Sequence, residues 1–484
     1  MGVYVDSGSK YETAASTGES PLGHQAAAVA SSPRSGTPKQ CWLQGRLTPP
    51  YAAGVSHVLE RLAFKATHNR TAFRVTREVC TATAPQILLL RRANNPTASL
   101  PRSCAHSDGI MSLLQAEVMG ANLLASASRE QMAYTVDVLR THLPEATELL
   151  LDCVLNPKFE LHTLNEALEK LKGEVEELEG NAQASLMEAL HATAYEGGLG
   201  QPLVASPAAL ARLTPGALAD FVAEHFTANR IAISAAGSSL QAVSAIAEPL
   251  LASLPSAPPP PSRTADGTYV GGDLRKALGA SGDGLTHCAL AFHFPGGWRD
   301  VKGATTMTVL QMLLGGGNSF SAGGPGKGMH SRLYTRVLNR HAWAHSCTGF
   351  HSLYNDTGLV GIHASCTPGK GAALVDTMVA ELQAVASPGG ISAAELARAK
   401  ASTVSSVLMN LESRAVVAED IGRQALTYGA RKAPSTFLDE VNRLTDKDLA
   451  AAVNKLLKGA PPTFVALGDT AGLPRYDAIA KRFG

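Results

Sequence analysis

The stretch HVLER, from His57 to Arg61, carries three chemically capable side chains within five residues. On a helix, positions i, i+3 and i+4 share a face, so His57, Glu60 and Arg61 point the same way. With a histidine at position 61 the stretch would read H-x-x-E-H, the inverted zinc-hydrolase pattern. There, two imidazoles hold the metal and the glutamate takes a proton from a bound water. Arg61 removes that chemistry. A guanidinium has five donors and no acceptor, and it stays protonated. It gives zinc no lone pair and sets a positive charge where the dication would sit. One histidine and at most one distant carboxylate fall short of the three protein ligands that catalytic zinc takes. No catalytic residue and no bound metal are therefore expected in this chain. Two readings of the stretch stay open: the remnant of a metal site, or an amphipathic helix with Glu60 beside Arg61.

A second stretch, 315–328, reads GGGNSFSAGGPGKG. Met329 follows Gly328, so it is not a P-loop, and the apolar helical run TTMTVLQMLL precedes it where a dinucleotide fingerprint needs a strand. Glycine lets the backbone approach a ligand closely. Gly315, Gly316, Gly317, Gly323, Gly324, Gly326 and Gly328, with Ser319, Phe320 and Lys327, read as a flap whose N–H and C=O groups hold an extended peptide. Lys327 suits carbonyls or a partner's carboxylate better than a basic substrate. A surface linker is the plainer alternative. Against it, Phe320 and the helical MHSRLYTRVLNR that follows argue for anchorage at both ends.

The elements that must position these residues fall into two similar halves. The proline cluster LPSAPPPPSRTADG, 254–267, reads as a linker. The domains are taken as 1–253 and 271–484, joined by 254–270. Each half closes alike: LTPGALADFVAEHF (213–226) then RIAISAAG, and LTDKDLAAAVNKLL (444–457) then TFVALGD. In each, a threonine stands as N-cap before helically spaced apolar residues, and a short strand follows. This repeat argues for duplication. Helices are expected over 163–179 and 392–426, strands at 287–294 and 357–366. The fold class is therefore α+β: two tandem domains, each a mainly antiparallel sheet with helices on one face.

The totals exclude more than they assign. The 484 residues carry a formal charge of +1, which gives no general field for nucleic acid or an anionic membrane. Seven cysteines form no C-x-x-C, as in a reduced compartment. The opening MGVYVDSGSKYE reads as a strand and a turn, with no signal peptide or Arg-rich leader. The chain is thus expected to be cytosolic, or its leader lies outside this sequence. Segments 19–53 and 80–116 show no period and read as irregular inserts.

The segment 315–366, together with GVSHVLERLAFKATHNR, ASASREQMAYTVDVLR and EDIGRQALTYGARK, resembles the pitrilysin-type metallopeptidases, in the branch of the mitochondrial processing peptidase α-subunits. That family also supplies core subunits of respiratory complex III. The resemblance implies a heterodimer on the matrix side of the mitochondrion. A β-subunit would carry the zinc and cut presequences from imported precursors, while this chain captures them. It places Glu174 at the distal zinc ligand's position, making His57, Glu60, Arg61 and Glu174 a vestigial set. Presequences are basic, so carboxylates should meet them. Glu419 and Asp420 match an acidic pair of the family, the alternative being a solvated helix face. A structural core subunit of complex III is the second role implied, and both roles can belong to one protein. The family joins its chain across both irregular segments, which points to translated introns there.

Overall fold

The structure is a computed structural model and describes residues 1–11, 54–71, 75, 121–252, 254–255, 267–277, 283–318 and 329–484. The inserts 19–53 and 80–116 lie wholly outside these residues.

In the first half, β1 (Gly2–Val5) leads to α1 (Val55–Leu62), then to the hairpin β2 (Asn122–Ala127) and β3 (Met132–Asp137). Helices α2 (Leu143–Leu155), α3 (Leu161–Gly180) and α4 (Ala182–Ala194) follow. After the short β4 (Tyr195–Glu196) come α5 (Pro207–Leu210), α6 (Pro215–His225), β5 (Ile231–Ser234) and α7 (Leu240–Leu251). The strands form an antiparallel sheet in the order β2-β3-β1-β5.

The second half repeats the plan. After β6 (Thr268–Tyr269) and β7 (Gly272–Lys276) come β8 (Thr286–Pro295), α8 (Val301–Leu314) and β9 (Gly316–Asn318). The hairpin β10 (Ala344–Leu353) and β11 (Thr357–Cys366) is followed by α9 (Gly371–Ala386), α10 (Ala393–Asn410) and α11 (Arg414–Tyr428). Then α12 (Pro434–Arg443), α13 (Asp446–Gly459), β12 (Thr463–Leu467) and α14 (Tyr476–Ala480) close the chain. The sheet order is β7-β12-β8-β11-β10-β9, with only the β7–β12 pair parallel. Strands β10-β11-β8-β12 thus stand where β2-β3-β1-β5 stand in the first sheet. The two closing threonines do the same local work. Thr214 accepts a hydrogen bond from the N–H of Ala217, and Thr445 forms a capping box with Asp448.

The expectation of helices on one face needs correction. Each sheet is covered on both faces, and the second cover comes from the other half. Helix α4 of the first half packs on β8 and β12 of the second sheet. Its Leu186 and Leu190 meet Ala289, Ala291, Leu359 and Val465 in one buried cluster. Helix α11 of the second half packs on β1 and β5. There Gly422 faces the ring of Tyr4, and the Ser234 hydroxyl donates to the Ala418 carbonyl at 2.6 Å. The amphipathic stripe of a helix shows that it is buried, not by what, so the exchange could not be read locally. A buried clamp also ties the halves: Lys10 pairs with Glu130 at 2.7 Å, and Glu130 accepts from the N–H of Asn355 at 2.8 Å.

Candidate functional site

Helix α1 begins at Gly54, where any Cβ would meet that of Ala205 at 2.7 Å. That contact seats the helix deep, with Val55, Val58, Leu59 and Leu62 in the first core. His57 is buried too, and its Nδ1 lies 3.5 Å from the N–H of Ala205. Burial, reinforced by the charge of Arg61, holds His57 below the usual imidazole range, hence neutral. Glu60 is half-buried and accepts from the N–H of Ala127 at the end of β2, 3.1 Å away. Burial raises its pKa, which that bond and Arg61 partly oppose.

Arg61 does not pair with Glu60. Its guanidinium crosses to α3 and meets the Glu174 carboxylate at 2.5 Å. The two carboxylates, the imidazole and the guanidinium form one electrostatic group, since Arg61 and Glu174 each act on His57 and Glu60. In that group the cation is a side chain of the protein. Among the described residues no set of three His, Cys, Asp or Glu side chains could hold a metal ion.

Of the glycine-rich stretch, Gly315, Gly316 and Gly317 are described; Ser319, Phe320, Gly323, Gly324, Gly326, Lys327 and Gly328 lie outside the described residues. Gly316 has φ of 108°, and a Cβ there would fall 1.9 Å from the Cys347 carbonyl. Only glycine can lie this close, and it lets Gly316–Asn318 run as an edge strand on β10. The root of the stretch is therefore strand, and it adds to a sheet edge.

Glu419 and Asp420 both lie on α11, far from α1 in sequence and on another element. Neither carboxylate is idle: Glu419 pairs with Arg423 at 2.7 Å, while Asp420 accepts from Gln424 at 2.7 Å and from Arg431 at 3.3 Å. Asp420 borders an apolar cleft of about 300 Å³ lined by Trp298, Leu411, Tyr428 and Phe437, with Arg423 and Lys432 at its edge.

Sequence reasoning missed a larger polar cavity between the halves, about 550 Å³, lined by His287, His345, Ser346, His363 and Ser365. Polar residues inside the otherwise apolar strands HCALAFHF and GIHASC were its only local signal.

The family model described as insulinase, peptidase family M16, matches residues 106–206, and the peptidase M16 inactive domain matches 212–403. The H-x-x-E-R stretch precedes both matches. The chain is 45% identical over 434 residues to the probable mitochondrial-processing peptidase subunit alpha-1 of Arabidopsis thaliana, covering 90% of this chain and 77% of that protein. It is 43% identical to the mitochondrial-processing peptidase subunit alpha of Solanum tuberosum, over 90% of this chain and 78% of that one. A chain in the solved complex III2 of Candida albicans bound to Inz-5 superposes with a TM-score of 0.70 at 14% identity, covering 100% of this chain and 93% of that chain. At that identity the likeness shows a shared fold. With the duplicated sheets, the altered metal motif and these relatives in hand, the chain belongs to the M16 peptidase family, among the α-subunits of mitochondrial processing peptidases.

Proposed function

We propose that this chain is the non-catalytic, substrate-recognising subunit of a mitochondrial processing peptidase. It works in the matrix with a β-type partner that holds the zinc and cuts. The observation that carries this reading is the Arg61–Glu174 ion pair: the cation of the vestigial site is built into the chain. A protonated guanidinium neither activates water nor accepts a proton, so the hydrolytic step needs another subunit. What remains here is capture. The edge strand Gly316–Asn318 stands at the root of the glycine-rich stretch, and an extended presequence can lie beside it as an added strand, with the Gly316 N–H already donated to the Ser331 hydroxyl at 2.9 Å. Glu419 and Asp420 are the proposed second contact. Each already has a basic partner in the chain, so a presequence would compete with Arg423 and Arg431 for them.

The test is processing by the heterodimer with residues 315–328 deleted from this chain. The expected result is lost processing with assembly intact. Undiminished processing would contradict the reading. No helix among the described residues is long and apolar enough to cross a membrane. Co-purification with cytochrome subunits would add the complex III role.

A further inference from the structure

The polar cavity between the halves has a simple construction. His287 of β8, Ser365 of β11 and Ser346 of β10 stand opposite one another in register, one row across three strands. Next in that row comes Asn318, the last residue of β9. The face is the one that α4 covers further along, where Ala289, Ala291 and Phe350 are buried beneath it. Beyond the start of α4 the cover stops, and residues Gly180 to Gln183, the turn from α3 into α4, form the opposite wall. Glu174 lies six residues before Gly180 on the same helix, about 9 Å along its axis at 1.5 Å per residue. The cavity thus lies one strand from the root of the glycine-rich stretch and shares helix α3 with Glu174.

Among the described residues the lining holds one carboxylate, Asp283, and no lysine, arginine or glutamate; its other titratable groups are the imidazoles of His287, His345 and His363. The Asp283 carboxylate is held at 2.9 Å by Nε2 of His287 and at 3.0 Å by the N–H of Leu285, and it remains half-exposed. The same lining holds further acceptors. The hydroxyls of Ser346 and Ser365 meet at 2.6 Å, which leaves oxygen lone pairs free. His363 makes no hydrogen bond among the described residues and packs its ring against Phe350. Burial and the neighbouring His287 hold His363 below the usual imidazole range, in its neutral, lone-pair-bearing form. The apolar cleft beside Asp420 differs in kind: Arg423 and Lys432 outnumber its one carboxylate.

We propose that this cavity is a side-chain pocket for an arginine of the bound presequence, with Asp283 as its anion and Ser346, Ser365 and His363 as acceptors. The proposal rests on the presequence-binding reading above and names a contact within it. A guanidinium presents several donors in one plane, and a carboxylate with flanking acceptors satisfies them better than it satisfies a compact ammonium.

The test uses the purified heterodimer in EDTA, so that nothing is cut, and two labelled presequence peptides, one with arginines and one with citrulline in their place. Wild-type protein should bind the arginine peptide at least tenfold more tightly. Asp283→Asn should remove most of that preference and change citrulline-peptide binding less than twofold. His363→Gln should give a smaller loss of the same preference. A preference unchanged in Asp283→Asn would overturn the pocket while leaving presequence binding standing. Failure of the wild type to bind either peptide would overturn the reading beneath it and the pocket with it. Stoichiometric metal on the chain, lost in His363→Gln, would also overturn the pocket by making the imidazoles ligands.

Discussion

The two halves share one plan and differ in how firmly it is built. The second sheet has six strands, with β8, β10 and β11 each ten residues long. The first has four strands of four to six residues among the described residues. The exchanged helices differ in the same sense. Helix α4 meets the second sheet with Leu186, Leu190 and Ala194 fully buried, whereas α11 buries only Ala418 and Gly422 against the first. A buried leucine stabilises by about 1.5–3 kcal/mol over an exposed one, and glycine offers no such contribution. Close approach replaces greasy contact on the first sheet. The heavier half frames the cavity and the glycine-rich root, while the lighter half carries the altered motif.

Four variants break or sharpen this contrast, in falling order of effect. Leu190→Ala empties a fully buried position beneath α4 and should cost about 2–5 kcal/mol, read as a lower urea midpoint. Gly422→Val places a Cβ within about 2.2 Å of the Tyr4 ring, itself fully buried. Overpacking of that kind costs about 1–3 kcal/mol and should loosen the first sheet, seen as faster hydrogen exchange in β1 and β5. A loss larger than that of Leu190→Ala would reverse the ranking of the two interfaces.

The third variant acts through pH. His191 of α4 is buried, its Nδ1 donating to the Met187 carbonyl at 2.7 Å, and burial, then the charge of Arg129, push its pKa down to about 3. The folded form resists a proton that the unfolded chain takes up near pH 6.5, so stability falls as pH drops from there toward 3. The slope is about 1.4 kcal/mol per pH unit for one such group. His191→Leu should flatten unfolding free energy between pH 6 and 4 by about that slope; an unchanged slope would show that other groups dominate. The smallest effect belongs to Arg61→Ala. Both partners of that ion pair are more than a third exposed, so stability should change by only about 0.2–1 kcal/mol.

Local chemistry was legible in the sequence and cross-chain chemistry was not. The threonine caps at 214 and 445 and the duplicated ending depend on neighbours within one turn. Whether Arg61 met Glu60 or Glu174 depended on where α3 would lie, which spacing within α1 does not show. The exchange of α4 and α11 was hidden for the same reason. The row His287–Ser365–Ser346 exists only through strand register. His287 and Ser365 read singly as polar residues in apolar strands, and Ser346 stood outside the expected strands.

The central claim is that a guanidinium has taken a ligand's seat, leaving a chain that grips and does not cut. Incubating the purified chain alone with a precursor and added zinc tests it most directly. The account predicts an intact precursor at every time point. Cleavage that appears with zinc and vanishes with chelator would contradict it.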